Sequence, residues 1–448
     1  MDTGALHENS FAERRRTNLP AQPGSIEESG LSFLFLVELV TKTLFRYGRM
    51  KLLELVSVTK LSIGVLEPVI GFMRQQNLCM VSRATEAETN VSYELSGQGK
   101  ERATEFLLKN QYIGPAPVSL MDYIAQVEKQ SLSNMTVTSD DMQEAFRGIV
   151  VRKSLLPQFG SALNSGRAIM VYGPSGSGKT YLAERISSLL KGEVAIPHAI
   201  TVDNDVIQVF DPTVHRPLFR DLEIAPDLDR RMATDSRWVL CRRPVTKTGG
   251  ELTLSMLELD FDENSRFYHA PPQVKAQNGI MIIDDLGRQL VPAINLMNRW
   301  IVPLDRKVDY LTLHTGKKFM VPFDVIVVFS TNLTPSDLAD EAFLRRLGYK
   351  IFVGELSESE FQKMARQVCA ELDIPVSESG LDYLLLKHKP EKRPLLACTP
   401  MDILRQLKDK ARYERKLPEL SRELIDWSWS NYFFQRTSFQ RGASDEKP

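Results

Sequence analysis

Val171-Tyr172-Gly173-Pro174-Ser175-Gly176-Ser177-Gly178-Lys179-Thr180 is the stretch on which the reading of the whole chain turns. It fits G-x-x-x-x-G-K-[ST], a loop that cradles phosphates. An apolar strand is expected to enter it over residues 168–172, and a helix to leave it over residues 180–190. The glycines let the backbone curl so that its N–H groups face an anion, and the helix N-terminus adds its dipole. Gly173, Pro174, Ser175, Gly176, Ser177, Gly178, Lys179 and Thr180 are therefore the expected phosphate-binding residues. Lys179 would neutralise β/γ-phosphates, and the Thr180 hydroxyl would hold Mg²⁺.

Two later stretches supply partners for that loop. In Gly279-Ile280-Met281-Ile282-Ile283-Asp284-Asp285-Leu286-Gly287, four apolar residues end in two acids. Such a run suits a strand buried on both sides in a parallel sheet. Asp284, at the carboxyl end, is expected to hold Mg²⁺ directly or through water, and Asp285 to orient and polarise an attacking water. In Asp324-Val325-Ile326-Val327-Val328-Phe329-Ser330-Thr331-Asn332, a second buried strand ends in a polar residue.

With these pieces in this order, residues 140–436 resemble the AAA+ ATPases. The resemblance implies an α/β fold: a P-loop AAA+ parallel sheet with a helical lid. It implies ATP and Mg²⁺ as cofactors, and it makes Asn332 the sensor 1 residue that helps place water near the γ-phosphate. In Asp340-Glu341-Ala342-Phe343-Leu344-Arg345-Arg346-Leu347 it implies an arginine finger reaching a neighbour's ATP site. Arg346 fits that position best, with Arg345 second. A shared site implies a homo-oligomer, expected to be a hexamer. Residues 356–436 are expected to form the lid from four helices. Where many relatives carry a sensor 2 arginine this chain has Met401; Arg405, one turn on, is either a substitute or a solvent-facing residue.

The chain departs from the family pattern at two places. Asp285 stands where most AAA+ proteins have Glu, one methylene longer, so water activation is expected to be weaker. Its Ile-Asp-Asp-Leu-Gly is locally similar to initiators and helicase loaders. The other departure is length: 105 positions separate Lys179 from Asp284. The surplus includes residues 238–243, 246–250 and 251–262, whose alternation signals a β-hairpin. Another hairpin is expected over residues 310–321. Hairpins before sensor 1 occur in MoxR-like groups, where they line a pore or touch a client; an edge strand with a basic tip is the plainer alternative.

The rest of the chain divides around this region. Residues 1–28, with Arg14-Arg15-Arg16, are polar and expected to be disordered, as are residues 437–448. Residues 29–112 show three helical stretches, two strands around the polar tip 84–88, and a closing helix after Ser96-Gly97-Gln98-Gly99. They resemble a small winged helix-turn-helix domain preceding the sheet. Residues 113–140 are expected to link it to the nucleotide domain, 141–355, ahead of the lid. A groove-reading helix needs polar and basic side chains on one face. The stretch 61–74 is almost wholly apolar, which favours a protein-docking or intramolecular role over DNA binding for this unit.

The 448 residues carry a formal net charge of −1, which gives no whole-chain argument for nucleic acid. Four scattered cysteines, with no C-x-x-C, read as a reducing compartment without disulfides or zinc. The apolar run 31–40 is too short for a membrane span, so no membrane segment and a cytoplasmic location are expected. Three functions stay open: an ATPase remodelling or assembling a protein client, an ATP-gated DNA-binding regulator or loader, and a weakly hydrolysing ATP-dependent scaffold.

Overall fold

The computed structural model describes residues 19–82, 91–218, 234–338 and 340–433. Arg14 to Arg16, the tip 84–88 and the stretch 437–448 lie outside them.

The N-terminal unit contains α1 (Phe33–Tyr47), β1 (Met50–Lys51), α2 (Leu52–Thr59), α3 (Ile63–Gln75), β2 (Cys79–Ser82), β3 (Ser92–Leu95) and α4 (Gly97–Lys109). The strands form an antiparallel sheet in the order β1-β3-β2. The apolar character of α3 has a plain cause. Val65, Leu66, Val69, Ile70 and Met73 fall at helical spacing and enter a core with Leu36, Leu39 and Val40 of α1. The first turn of α3 is also covered by the chain itself. The Ser62 hydroxyl donates to the Pro23 carbonyl at 2.6 Å, and Gly64 lies so close to the Gly24 carbonyl that a Cβ there would collide with it.

The connecting residues are packed. β4 (Val118–Ser119) and α5 (Leu120–Lys129) precede α6 (Ser139–Ala145) and α7 (Leu155–Ser165). Ala116 and Val118 are buried. Arg237 fixes this junction: Nη1 donates to the carbonyls of Ser29 (2.8 Å) and Pro117 (3.2 Å), while Nε and Nη2 grip the Asp235 carboxylate at 2.9–3.1 Å. The pair is 3% and 2% exposed, so removing either partner would strand a buried charge.

The nucleotide region follows with β5 (Ile169–Tyr172), α8 (Lys179–Ser187), β6 (Glu193–Pro197), β7 (Ala199–Val202), β8 (Asp205–Gln208), β9 (Trp238–Arg242), β10 (Val245–Thr248), β11 (Asp260–Asp262), β12 (Phe267–His269) and β13 (Ile280–Ile283). Then come α9 (Ala293–Arg306), β14 (Val308–Thr312), β15 (Lys318–Pro322), β16 (Ile326–Thr331) and β17 (Tyr349–Phe352). Five of these strands form an all-parallel sheet in the order β10-β13-β16-β5-β17. Every residue of β13 and β16 is buried, as central strands covered on both faces require.

The surplus length builds a second, mixed sheet, β11-β12-β8-β7-β4. Ala199 and Val206 of this sheet belong to the core of the N-terminal unit. The hairpin expected from residues 238–262 is corrected here. β9 pairs antiparallel with β6, and β10 departs to become the edge of the central sheet. β11 turns back into β12, just beyond this stretch, as a hairpin. Alternation marks a strand but does not name its partner; the partners of β9 and β10 lie far off in sequence. The hairpin β14–β15 is present, with Tyr310 opposite Met320. Its tip is anchored: Lys317 pairs with Asp203 in the β7–β8 turn, and His314 N–H donates to the Tyr268 hydroxyl at 3.0 Å.

Helices α10 (Glu358–Glu371), α11 (Glu378–His388), α12 (Cys398–Tyr413) and α13 (Arg422–Tyr432) share a separate core around Phe361, Leu384, Leu404 and Trp429. This is the α/β class expected: a P-loop parallel sheet with a helical lid and a small helix-and-wing unit before it. Among the described residues no single helix is long and apolar enough to cross a membrane. All four cysteines are free.

Candidate nucleotide site

Three parallel strands end side by side and each delivers polar groups to one place. β5 runs into the glycine loop, β13 ends at Asp284 and Asp285, and β16, between them, ends at Asn332. Gly173 leaves β5 with φ 148°, where a side chain would strike the Val353 carbonyl. Gly176 has φ 78° and lies under Cys398, the first residue of α12. The Cys398 N–H donates to the Gly176 carbonyl at 3.0 Å, so the lid is seated directly on the loop.

Lys179 is 6% exposed. Its Nζ donates to the carbonyls of Gly173 (3.1 Å) and Pro174 (2.8 Å) and to Asn332 Oδ1 (2.7 Å). Three donors meet three acceptors, which uses the full capacity of an ammonium. Burial draws its pKa below the usual lysine value, while Asp285 and then Asp284 oppose that shift. Ser175 lines the cavity described below. The Ser177 hydroxyl is buried with no hydrogen-bond partner among the described residues, a polar atom left inside the loop for something else to satisfy.

The two acids have different surroundings. Asp284 Oδ1 accepts from the Thr180 hydroxyl at 2.9 Å and from the Asp285 N–H at 3.0 Å. Its Oδ2 faces Lys247 Nζ at 3.7 Å. Lys247 in turn donates to Glu184 Oε1 at 2.6 Å. Asp285 is exposed and holds φ 49°, in the left-handed region that Asp tolerates better than most residues. Its Oδ1 lies 3.4 Å from Asn332 Nδ2. Thus Lys179, Thr180, Asp284, Asp285 and Asn332 are brought together.

A cavity of about 520 Å³, within the usual range for small-ligand sites, is lined by Lys179, Thr180, Asp285 and Asn332, while Asp284 reaches it through its bond to Thr180. Ile149, Val150 and Tyr181 line it from the sheet domain; Met364, Gln367, Glu371, Cys398 and Met401 line it from the lid. Arg405 is not among its lining residues: it is exposed, and its Nη2 rests 3.7 Å from the Met401 sulfur. Neither arginine of the 345–346 pair lines the cavity. Arg346 Nε bonds Asp305 Oδ2 of α9 at 2.6 Å and is 28% exposed; Arg345, 75% exposed, bonds Glu341 at 3.1 Å.

The residues fit a magnesium–nucleotide complex better than a dedicated metal cage. Among the described residues no cluster of three or more His, Cys, Asp or Glu is poised to hold an ion. Thr180 and Asp284 supply two hard oxygens at one point. Mg²⁺ characteristically takes one or two such ligands and completes its shell with water and phosphate oxygens.

Several residues in and around the site escape sequence reading. Ile149-Val150 is a short apolar pair with no motif, and Cys398 is a lone cysteine. Gln367 and Glu371 are joined at i,i+4 by a 3.3 Å bond, but their spacing alone looks like an ordinary helix surface. Lys247 is visible only as the middle of Thr246-Lys247-Thr248, two buried threonines flanking an outward side chain.

Comparison with known proteins adds little at the level of sequence. A family described as a domain of unknown function (DUF8689) matches residues 357–431, the lid helices. No curated protein matches the chain. Similar solved structures include NtrX from Brucella abortus in complex with ADP, at 15% identity over 65% of this chain and 57% of that one, TM-score 0.39. A second NtrX structure matches at 11% identity, 73% and 59% coverage and TM-score 0.36. RuvB from Thermotoga maritima, a Holliday junction branch migration motor, matches at 11% identity, 67% and 72% coverage and TM-score 0.34. The chain spans under three fifths of the length of both NtrX chains.

Proposed function

We propose that this chain is an AAA+-type ATPase that binds ATP with Mg²⁺ and hydrolyses it to remodel or assemble a protein client, acting as a homo-oligomeric ring. The observation that carries the reading is the pair of bonds Lys179–Asn332 (2.7 Å) and Thr180–Asp284 (2.9 Å), which tie the glycine loop and the start of its helix to the ends of β16 and β13 beneath the lid. Phosphate oxygens entering the loop would take over the Lys179 ammonium from the Gly173 and Pro174 carbonyls. Thr180 and Asp284 would hold Mg²⁺, which supplies charge neutralisation at the phosphates. Asp285, oriented by Asn332, would accept the proton of the attacking water as its oxygen bonds the γ-phosphorus and the β–γ bridging oxygen leaves with ADP. Arg346 of a neighbouring subunit would complete the site, once released from Asp305.

The test is a pair of variants. Lys179→Ala should lose nucleotide binding by at least about tenfold, since a charge-assisted contact is worth roughly 1.5–3 kcal/mol. Asp285→Asn should keep binding and lose turnover. Wild-type binding that persists unchanged in Lys179→Ala would refute the site. An ATP-dependent scaffold with slow turnover is the second reading. It is supported by the short, exposed Asp285 carboxylate, and would be preferred if Asp285→Asn leaves a measurable wild-type rate unchanged. DNA reading through α3 has less support, because its apolar residues form the core and Pro23 and Gly24 cover its first turn.

A further inference from the structure

We propose that Lys247 is a positioning residue for the metal site: a cation beside Asp284 that weakens the binding of Mg²⁺ arriving without nucleotide phosphates. The inference rests on the nucleotide-site reading above and deepens it.

The placement is specific. β10 is the edge strand of the central sheet, in parallel register with β13 so that Lys247 stands beside Ile282. Thr246 and Thr248 turn inward and are buried, which sends Lys247 to the opposite face. The Thr248 carbonyl accepts the Asp284 N–H at 2.8 Å, so this strand and the Asp284 backbone are fixed together. The Asp284 carboxylate is then shared between two sides. Thr180 and the Asp285 N–H occupy Oδ1, and the Lys247 ammonium stands 3.7 Å from Oδ2.

Glu184 controls how far that ammonium reaches. It lies one helical turn beyond Thr180 on α8, and holds Lys247 at 2.6 Å. The ammonium is thus pulled between two carboxylates, with the shorter bond to Glu184. A lone divalent ion at Thr180 and Asp284 meets a carboxylate already partly compensated by Lys247. An ion arriving with phosphates brings its own negative charge and outweighs that repulsion. Lys247 and Glu184 are 45% and 51% exposed, so water screens the effect, and an interaction of this kind is worth up to about fivefold in affinity.

The two side chains make opposite predictions. Mn²⁺, read by electron paramagnetic resonance, serves as the probe, because it takes the same oxygen ligands as Mg²⁺. Binding is measured on the full chain, with and without a non-hydrolysable ATP analogue, and nucleotide binding is followed separately by fluorescence. Lys247→Met should tighten Mn²⁺ about two- to fivefold, most clearly without nucleotide. Glu184→Gln frees the ammonium toward Asp284 and should weaken Mn²⁺ by a similar factor. Lys247→Arg should stay near wild type. Unchanged or weaker Mn²⁺ binding in Lys247→Met, or tighter binding in Glu184→Gln, overturns the inference while intact nucleotide binding leaves the site reading standing. A wild type that binds no nucleotide overturns both. Circular dichroism and melting curves on each variant establish that the comparison is between folded proteins.

Discussion

The seat of the lid on the glycine loop can be tested by adding a single carbon atom. Gly176→Ala places a Cβ against Cys398, well inside contact distance of its sulfur and 3.5 Å from its Cβ. Two costs follow, and they differ in kind. The left-handed backbone at φ 78° disfavours any L side chain by roughly 1–2 kcal/mol, whatever the lid does. The collision with the Cys398 sulfur adds about 1–3 kcal/mol, as overpacking does elsewhere, and only while the lid is closed. Nucleotide that needs the closed lid should therefore bind about 5–150-fold more weakly, the factor matching a coupling of that size. Cys398→Ala separates the terms. It removes the sulfur and leaves the two carbons at 3.5 Å, an ordinary contact. The double variant should regain most of the affinity, measured by titration with a fluorescent ADP analogue, while its melting temperature stays below wild type because the backbone strain remains. If the double variant binds as poorly as Gly176→Ala, the sulfur is not what the new carbon meets. If Gly176→Ala binds like wild type, the lid does not sit on the loop in the binding-competent state.

Two further outcomes are expected. Arg346→Ala should slow hydrolysis by about 10³-fold, the usual worth of an arginine finger, while ATP affinity stays within about twofold of wild type; loss of ATP binding instead would place Arg346 in its own chain's site. Acid should destabilise the fold through buried histidines. Burial holds His198 at about 4, reinforced by Lys60, and draws His215 and His388 below the usual histidine value. The unfolded chain takes up these protons near pH 6.5 and the folded chain holds them off to lower pH, so the stability is full above pH 6.5 and lost as pH falls, down to about 4 for His198. Each such group contributes a slope of about 1.4 kcal/mol per pH unit. Denaturant melts at pH 7.5, 6 and 5 check this; stability that is flat or rises on acidification would refute it.

What could be read from the sequence follows physical lines. β13 and β16 were legible because a strand buried on both faces has to be apolar throughout, and residues 280–283 and 326–329 are. The loop was legible because Gly173 and Gly176 answer to backbone positions that only glycine fills easily. Four lid helices were expected over residues 356–436, and α10 to α13 lie there, α10 opened by a cap in which Ser357 and Glu360 take part. Partnership was not legible. Nothing within residues 238–248 says that one strand pairs with β6 and the next, two residues later, with β13. For the same reason Lys247 and Glu184, 63 positions apart, could not be joined before the fold was known.

The largest gap between sequence and structure concerns the N-terminal unit, and it bears on function. A helix-and-wing unit followed by a linker over residues 113–140 reads as a separate module. Its core instead includes Ala199 and Val206 from the inserted sheet, and Arg237 locks Ser29 and Pro117 to the start of β9. Eight residues along the same chain from Arg237, β10 begins beside β13, and its last carbonyl holds the Asp284 N–H. A single short run, residues 237–248, therefore touches both the N-terminal unit and the acid of the candidate metal site. A tethered reader would be free to search for a partner independently of the nucleotide. A unit clamped in this way can move only with the inserted sheet, so a partner docked on it would move with the nucleotide domain. That geometry suits a remodeller, in which the bound partner must feel the hydrolysis cycle, better than a tethered DNA reader whose α3 would have to shed Pro23 and Gly24 before its first turn could enter a groove.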